Sequence, residues 1–342
     1  MKKILLLVFV LCLFSSCSNK IENVEKSFYY WKSNNWSLSE KEVSAVKDLK
    51  IKKMYIKFFE IDHNEAYGDF PISKTTLRLY NQDSLIIVPT VYIKNEVFKI
   101  DNKKALDTLA DNINFLINKY TKDRFERNKP VTEFQMDCDW TLKTKDNYFY
   151  FLKKLKEVSK KEISCTLRLY PYKYPDKMGI PPVDKATLMC YNLINPLENH
   201  SKNSILDVDE LGLYLNTKRK YPLHLDVALP IYSWMQVYQN NQFVKVIYNG
   251  HKDIAKSLKE IKPMWYEVKK DTVVDDFYLR IGDKIKYEKL TPEKIDKAIE
   301  VIKKNVVFDA NTTVTLFHLD EEQLSNYSDE ALSGFYSNFF SK

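Results

Sequence analysis

The run Glu133-Phe134-Gln135-Met136-Asp137-Cys138-Asp139-Trp140 carries two carboxylates two residues apart in an otherwise apolar extended stretch. Strand alternation puts Gln135, Asp137 and Asp139 on one face and Phe134, Met136, Cys138 and Trp140 on the other. Carboxylates spaced this way, about 7 Å apart along a strand, can share acid–base work, because each raises the other's affinity for a proton. A buried ion-pair network accounts for the same pattern. The same alternation groups Thr166, Arg168 and Tyr170, then Tyr55, Lys57 and Phe59, then His224, Asp226 and Ala228. Lys57, Asp137, Asp139, Arg168 and Asp226 are therefore expected to meet in one interior layer.

Aromatic residues cluster at the ends of the same extended runs. They are Trp31 and Trp36, Trp140, Tyr170 and Tyr172, Tyr191 with Asn192 beside it, and Tyr232 and Trp234. Rings exposed at strand ends suit stacking on sugar rings, whose C–H faces are apolar; rings that merely cap the core are the competing reading. Cys138, Cys165 and Cys190 lie inside apolar runs with no histidine spaced to activate them, so they are expected to be inert. The sequence has no CxxC, HExxH or HxH motif, and no metal or cofactor is expected. The six glycines are each more than 30 residues from the next, which excludes GxGxxG and GxxxxGK[ST] phosphate loops.

Eight β-rich runs must position these side chains: 28–31, 53–59, 85–92, 132–140, 163–170, 187–191, 223–230 and 313–318. Amphipathic helical stretches alternate with them at 39–49, 103–120, 146–159, 207–216, 252–261 and 292–304. Ser39 with Glu42 makes a capping box, and Thr291-Pro292 opens the last of these helices. Eight strands alternating with helices predict an α/β protein with a closed (β/α)8 TIM-type barrel; a doubly wound open sheet is the structural rival. The interval between the last two strands is too long for one helix. It is expected to hold a β-rich excursion over the barrel mouth, spanning about 237–289 within one domain that runs over 27–342.

The N-terminus reads as an export signal. Lys2 and Lys3 precede an apolar run from Ile4 to Phe14, and Leu-Phe-Ser-Ser-Cys resembles a bacterial lipobox. Cleavage before Cys17 and lipidation of Cys17 would leave a tether over 17–26 and anchor the protein to a membrane. Ser18 after the cysteine favours the outer one. Loss of the two lysines lowers the formal charge of +7 to +5, too small for a nucleic-acid partner.

The Gln135-Met136-Asp137-Cys138-Asp139-Trp140 segment resembles the DxxDxDxE strand of the chitinase-like family 18 glycoside hydrolases. Tyr191-Asn192 and Trp234 are similar to residues of that group as well. The resemblance implies a carbohydrate ligand at the C-terminal mouth of the barrel. Asp139 would be the general acid, its pKa raised by Asp137 and partial burial. Asp137 would orient it or polarise a substrate N-acetyl group. Lys57, Arg168, Tyr191, Asn192, Asp226 and Tyr232 would position the sugar, and Trp31, Trp140 or Trp234 would stack on it. The chain departs from the motif in one of two ways. Either Thr141 stands at the acid position, or Asp139 does and Gln135 replaces an aspartate. A glycan-binding barrel without hydrolysis, or an envelope-interaction protein that meets a protein partner through the excursion, therefore stays open beside the enzyme.

Overall fold

The computed structural model describes residues 21–79, 85–99, 102–125, 131–197, 201–217, 219–248, 250 and 254–340. The lipobox, including Cys17, lies outside them. The first half of the chain forms β1 (Asn23–Tyr30), α1 (Glu40–Asp48), β2 (Lys53–Asn64), β3 (Gly68–Ile72), β4 (Ile86–Ile93), α2 (Lys103–Arg124), β5 (Glu133–Asp137) and α3 (Lys145–Ser159). Then come β6 (Glu162–Leu167), α4 (Leu169–Lys173), α5 (Pro175–Met178), β7 (Lys185–Met189), α6 (Val208–Leu215) and β8 (His224–Pro230). Strands β1, β2, β4, β5, β6, β7 and β8 pair in parallel. The circle is closed by β16 (Asn311–Phe317), which lies between β8 and β1, so the barrel has eight strands.

The expected strand pattern holds in all eight positions, and the outward residues explain how the helices attach. Phe134 and Met136 of β5 are fully buried beneath α3, which buries Tyr148, Phe151, Leu152 and Leu155. Phe28 of β1 meets Tyr336 edge-on, 6.3 Å between ring centroids, on α8 (Asp329–Ser337). The Ser39–Glu42 capping box forms at the start of α1, and Thr291 caps α7 (Pro292–Asn305). Fully buried Glu42 also pairs with Lys32 and accepts the Glu321 backbone N–H at 3.1 Å, tying α1 to the C-terminal segment.

Between β8 and α7 the chain builds a second sheet from β9 (Trp234–Gln239), β10 (Gln242–Ile247), β11 (Leu258–Lys262), β12 (Trp265–Val268) and β15 (Lys284–Glu288), ordered β10-β9-β15-β12-β11. Strands β13 (Thr272–Val274) and β14 (Phe277–Leu279) form a separate hairpin. This insertion has its own core of Met235, Val237, Ile247, Ile254, Val268, Val274, Leu279 and Ile285. It docks through Glu288, which is fully buried. Glu288 accepts hydrogen bonds from the Ser204 backbone at 2.8 Å, the Ser204 hydroxyl at 2.6 Å, Gln236 Nε2 at 2.9 Å and the Trp234 indole, and pairs with equally buried Lys286 at 2.7 Å.

Three expectations need correction. Residues 23–26, read as tether, are the first half of β1 and pair with Asn311–Val314 of β16; Glu25 is fixed there by Lys53 and by the Thr313 hydroxyl at 3.1 Å. The helix expected over 252–261 is replaced, in its described part, by a short 3-10 turn at Ala255–Ser257 and by β11. Pro263 stops a helix two residues on, and pairing with β12 satisfies the backbone instead. Third, Phe59 does not share a face with Tyr55 and Lys57. A bulge between Lys57 and Phe59 resets the phase of β2, sending Phe59 outward against Tyr120 and returning Glu60 to the interior.

Candidate functional site

The barrel interior is layered. At the N-terminal end Glu133 accepts the Ser164 hydroxyl at 2.6 Å and pairs with Lys185 at 2.8 Å. Asp226 belongs to this layer. It lies 3.6 Å from Lys185, accepts the Thr313 backbone N–H at 2.7 Å, and is 3.3 Å from His224 Nε2, whose Nδ1 is 2.8 Å from Asp309. Burial works against the charge on Asp226, but His224, Lys185 and the Thr313 N–H together hold its carboxyl below the ordinary range. The hydrogen bond to Asp226 in turn raises the His224 pKa. Above this layer Tyr29 donates to Gln135 Oε1 at 2.8 Å and Gln135 Nε2 donates to Thr187 at 3.1 Å.

The third layer opens at the C-terminal mouth, where barrels of this kind keep their sites. The ladder sets Glu60, Tyr92 and Asp137 level with one another. Together with Tyr29, Trp31, Asp139, Thr166, Arg168, Met189, Tyr191, Asn192 and Phe317 they line a cavity of about 230 Å³. A second cavity of about 620 Å³ shares Asp139, Arg168, Tyr191 and Asn192 with it and continues past Trp140, Thr141, Leu142, Lys143, Tyr170 and Tyr214. The two form one groove across the mouth.

Asp137 and Asp139 occupy unlike environments. Asp137 ends β5, is 8% exposed, and accepts the Thr166 hydroxyl at 2.6 Å. Burial is the largest cause that lifts its pKa to about 7. The charge of Asp139 adds to the lift, while Thr166 and Arg168 oppose it. Asp139 has already left the strand. Its side chain is 42% exposed, and its Oδ2 lies 3.0 Å from Arg168 Nη1. The carboxyl whose pKa burial raises is Asp137, whereas Asp139, expected to be partly buried, is open to the mouth and paired with Arg168. Thr141 belongs to the turn into α3, where its backbone N–H donates to Thr144 Oγ1 at 2.9 Å. Asp139 is thus the motif carboxyl open to the mouth, with Gln135 two residues below Asp137.

Phe317, at the end of β16, gathers the aromatic residues. Its ring lies 5.7 Å from Tyr29, 5.6 Å from Trp31, 5.3 Å from Tyr191 and 5.6 Å from Tyr232. Tyr232 donates to Asn192 Oδ1 at 2.5 Å, which fixes both beside the cavity. Lys57 stands behind the lining, 2.5 Å from Glu60 and 5.6 Å from the Trp31 ring, and so sets the wall without forming it. Trp234 is one ring removed, packed 5.7 Å from Tyr232 with its indole N–H on Glu288. Trp140 is 4% exposed and stacks 5.4 Å from Tyr148, so only its edge reaches the larger cavity. Asp226 is not part of the mouth at all.

Sequence reasoning missed Tyr29, Glu60, Tyr92 and Phe317. Glu60 was hidden by the bulge, for which the adjacent Phe58-Phe59 pair is the local signal. Phe317 was legible only as a residue near the end of the last run, 313–318. Among the described residues no group of three or more His, Cys, Asp or Glu is placed to hold a metal ion.

No family model and no curated protein matches the sequence. Solved structures do resemble it. The spore cortex-lytic enzyme SleL of Bacillus cereus superposes with a TM-score of 0.52 at 13% identity, over 94% of this chain and 75% of that one. A chitinase from Chromobacterium violaceum gives 0.53 at 10% identity, over 93% and 99%. The fold is that of the chitinase-like glycoside hydrolase barrels. Catalytic domain 2 of the Group II chitinase of Ostrinia furnacalis, solved with penta-N-acetylchitooctaose, also gives 0.53, at 10% identity over 92% and 96%. The chitinase-like barrel here thus combines a layered polar interior, an aromatic mouth and one carboxyl of raised pKa at the end of β5.

Proposed function

We propose that this protein binds an amino-sugar glycan in the mouth of its glycosidase-like barrel. The carrying observation is the ring cluster around Phe317 facing Asp137, Asp139, Tyr92 and Asn192 across one groove. An apolar floor accepts the C–H face of a pyranose, and the polar wall offers both donors and acceptors to its hydroxyl and N-acetyl groups. Asp139, the carboxylate open to the mouth, is already engaged by Arg168, and this favours binding over hydrolysis. Calorimetric titration of the folded chain with chitooligosaccharides tests the reading; no heat of binding at millimolar sugar would overturn it.

A second reading, hydrolysis, is favoured by Asp137. A carboxyl with a pKa near 7 is matched to proton transfer at neutral pH, and the sugar's own N-acetyl group would serve as internal nucleophile. Chromatography of oligosaccharides incubated with wild type and with Asp137→Asn separates the readings. Cleavage by the first and not the second would establish the enzyme.

The charged, apolar and small-residue order of residues 1–17 supports an exported lipoprotein anchored through Cys17, with the barrel at a membrane surface and the outer membrane as its place. Labelled palmitate retained by wild type and absent from Cys17→Ala would support this; equal labelling would refute it.

A further inference from the structure

The two cavities of the mouth differ in charge. The larger one has Lys143 and Arg168 in its wall, and its single lining carboxylate, Asp139, is paired with Arg168. Its aromatic walls, Tyr170 and Tyr214, are each attended by a further cation. Lys177 Nζ lies 5.7 Å from the Tyr170 ring and donates to its hydroxyl at 3.1 Å, and Lys173 Nζ lies 5.6 Å from the Tyr214 ring. Lys145 stands beside them, donating to the Lys177 carbonyl at 3.3 Å. Among the described residues none of Lys143, Lys145, Lys173 and Lys177 forms an ion pair with a carboxylate. Of the acidic residues on the flanking helices, Asp176 is held by Arg219 at 3.1 Å, Glu210 by Lys202 at 2.6 Å and Glu157 by Lys154 at 3.6 Å, while Asp146 and Asp209 are exposed.

A neutral sugar both donates and accepts, whereas an ammonium group only donates. Lys143 in the wall, with Lys173 and Lys177 against the rings of Tyr214 and Tyr170 that line it, supplies cationic donors without acidic partners and therefore matches an acceptor-only group better than it matches hydroxyls. We infer that the larger cavity takes an anionic unit of the glycan, a saccharide bearing a carboxylate or sulfate, with the charge met by Lys143, Lys173 and Lys177. The inference rests on the mouth being a saccharide site and adds the chemical class of the unit next to the aromatic pocket. Bound anion also relieves the mutual repulsion of the lysines, so the preference weakens as salt screens both effects.

The test is calorimetry on the full chain with three probes: neutral chitotetraose, a tetrasaccharide alternating N-acetylglucosamine and N-acetylmuramic acid, and a sulfated chitotetraose. The anionic probes are expected to bind roughly tenfold more tightly than the neutral one in low salt. The advantage, read as the ratio of anionic to neutral affinity, should shrink at high salt and disappear in the Lys143→Gln/Lys173→Gln/Lys177→Gln variant. A carboxylate preference without a sulfate preference, or the reverse, identifies which anion the site takes and supports the inference. Equal affinity for neutral and anionic probes, or an advantage that survives in the triple variant, overturns the inference and leaves the saccharide site standing. Failure of all three probes to bind overturns the saccharide site itself.

Discussion

Arg168 Nη1 stands 3.0 Å from Asp139 Oδ2, and the same guanidinium lowers the proton affinity of Asp137 behind it. One cation therefore governs both carboxylates at the end of β5. Replacing it by Gln leaves the Asp139 charge beside Asp137 with less compensation. The expected result for Arg168→Gln is an Asp137 pKa above the value near 7 of the native chain, read from the carboxyl signal in an NMR or infrared pH titration. An unchanged or lower pKa would show that Arg168 does not couple the pair.

Asp137 also makes stability depend on pH. Its carboxyl binds a proton more tightly in the folded chain, at about 7, than at its ordinary value of 3.8. The stabilisation is fully present below pH 3.8 and is lost as pH rises through about 7. Asp137→Asn keeps an acceptor for Thr166 and removes the titration. Melting temperatures measured between pH 4 and 8 should fall less steeply for the variant than for wild type. The difference is expected to amount to a few kcal/mol, because the group is buried.

His224 gives a second, separable pH effect at the other end of the barrel. Its pKa is raised by Asp226 and Asp309, so its contribution is complete below about pH 6.5 and is lost as pH rises through the higher folded value. Denaturant unfolding of His224→Gln should lack that alkaline loss. The Asp226→Asn variant should be less stable, yet bind sugar as wild type does, since Asp226 belongs to the closed end with Lys185 and Thr313. A weakened affinity in that variant would return Asp226 to the site.

The Lys286–Glu288 pair predicts how the insertion is held. Both groups are fully buried, so Glu288→Gln strands a charge that has no route to water. A loss of about 3–5 kcal/mol is expected, together with faster proteolytic cleavage inside 234–288. The compensated double change Lys286→Met/Glu288→Gln should recover part of it.

Much of this barrel could be read from the chain because alternation is a local property. Every parallel strand carries its own inward and outward set, and Phe134/Met136 against Gln135/Asp137 is resolved within five residues. Height inside the barrel is not local. Asp226 and Asp137 both face inward, but only the stagger of neighbouring strands decides that one meets Lys185 and the other the mouth. Burial at a strand end is likewise set by distant loops, so the sequence could not say that Asp137 would be enclosed while Asp139 lay open beside Arg168. The bulge after Lys57 defeated strict alternation by a single residue and concealed Glu60.

Gln135 carries a consequence for how protons travel. It closes the barrel below Asp137 by bridging Tyr29 and Thr187, and an amide has no labile acid proton to relay at neutral pH. Gln135 itself therefore relays no proton between the ionisable network around Lys185 and His224 and the carboxyls above it. Asp137 must exchange its proton through the mouth, along the path that a bound sugar would cover. Occupancy of the groove and the protonation state of Asp137 are then linked, so that a ligand preferring one state shifts the Asp137 pKa as it binds.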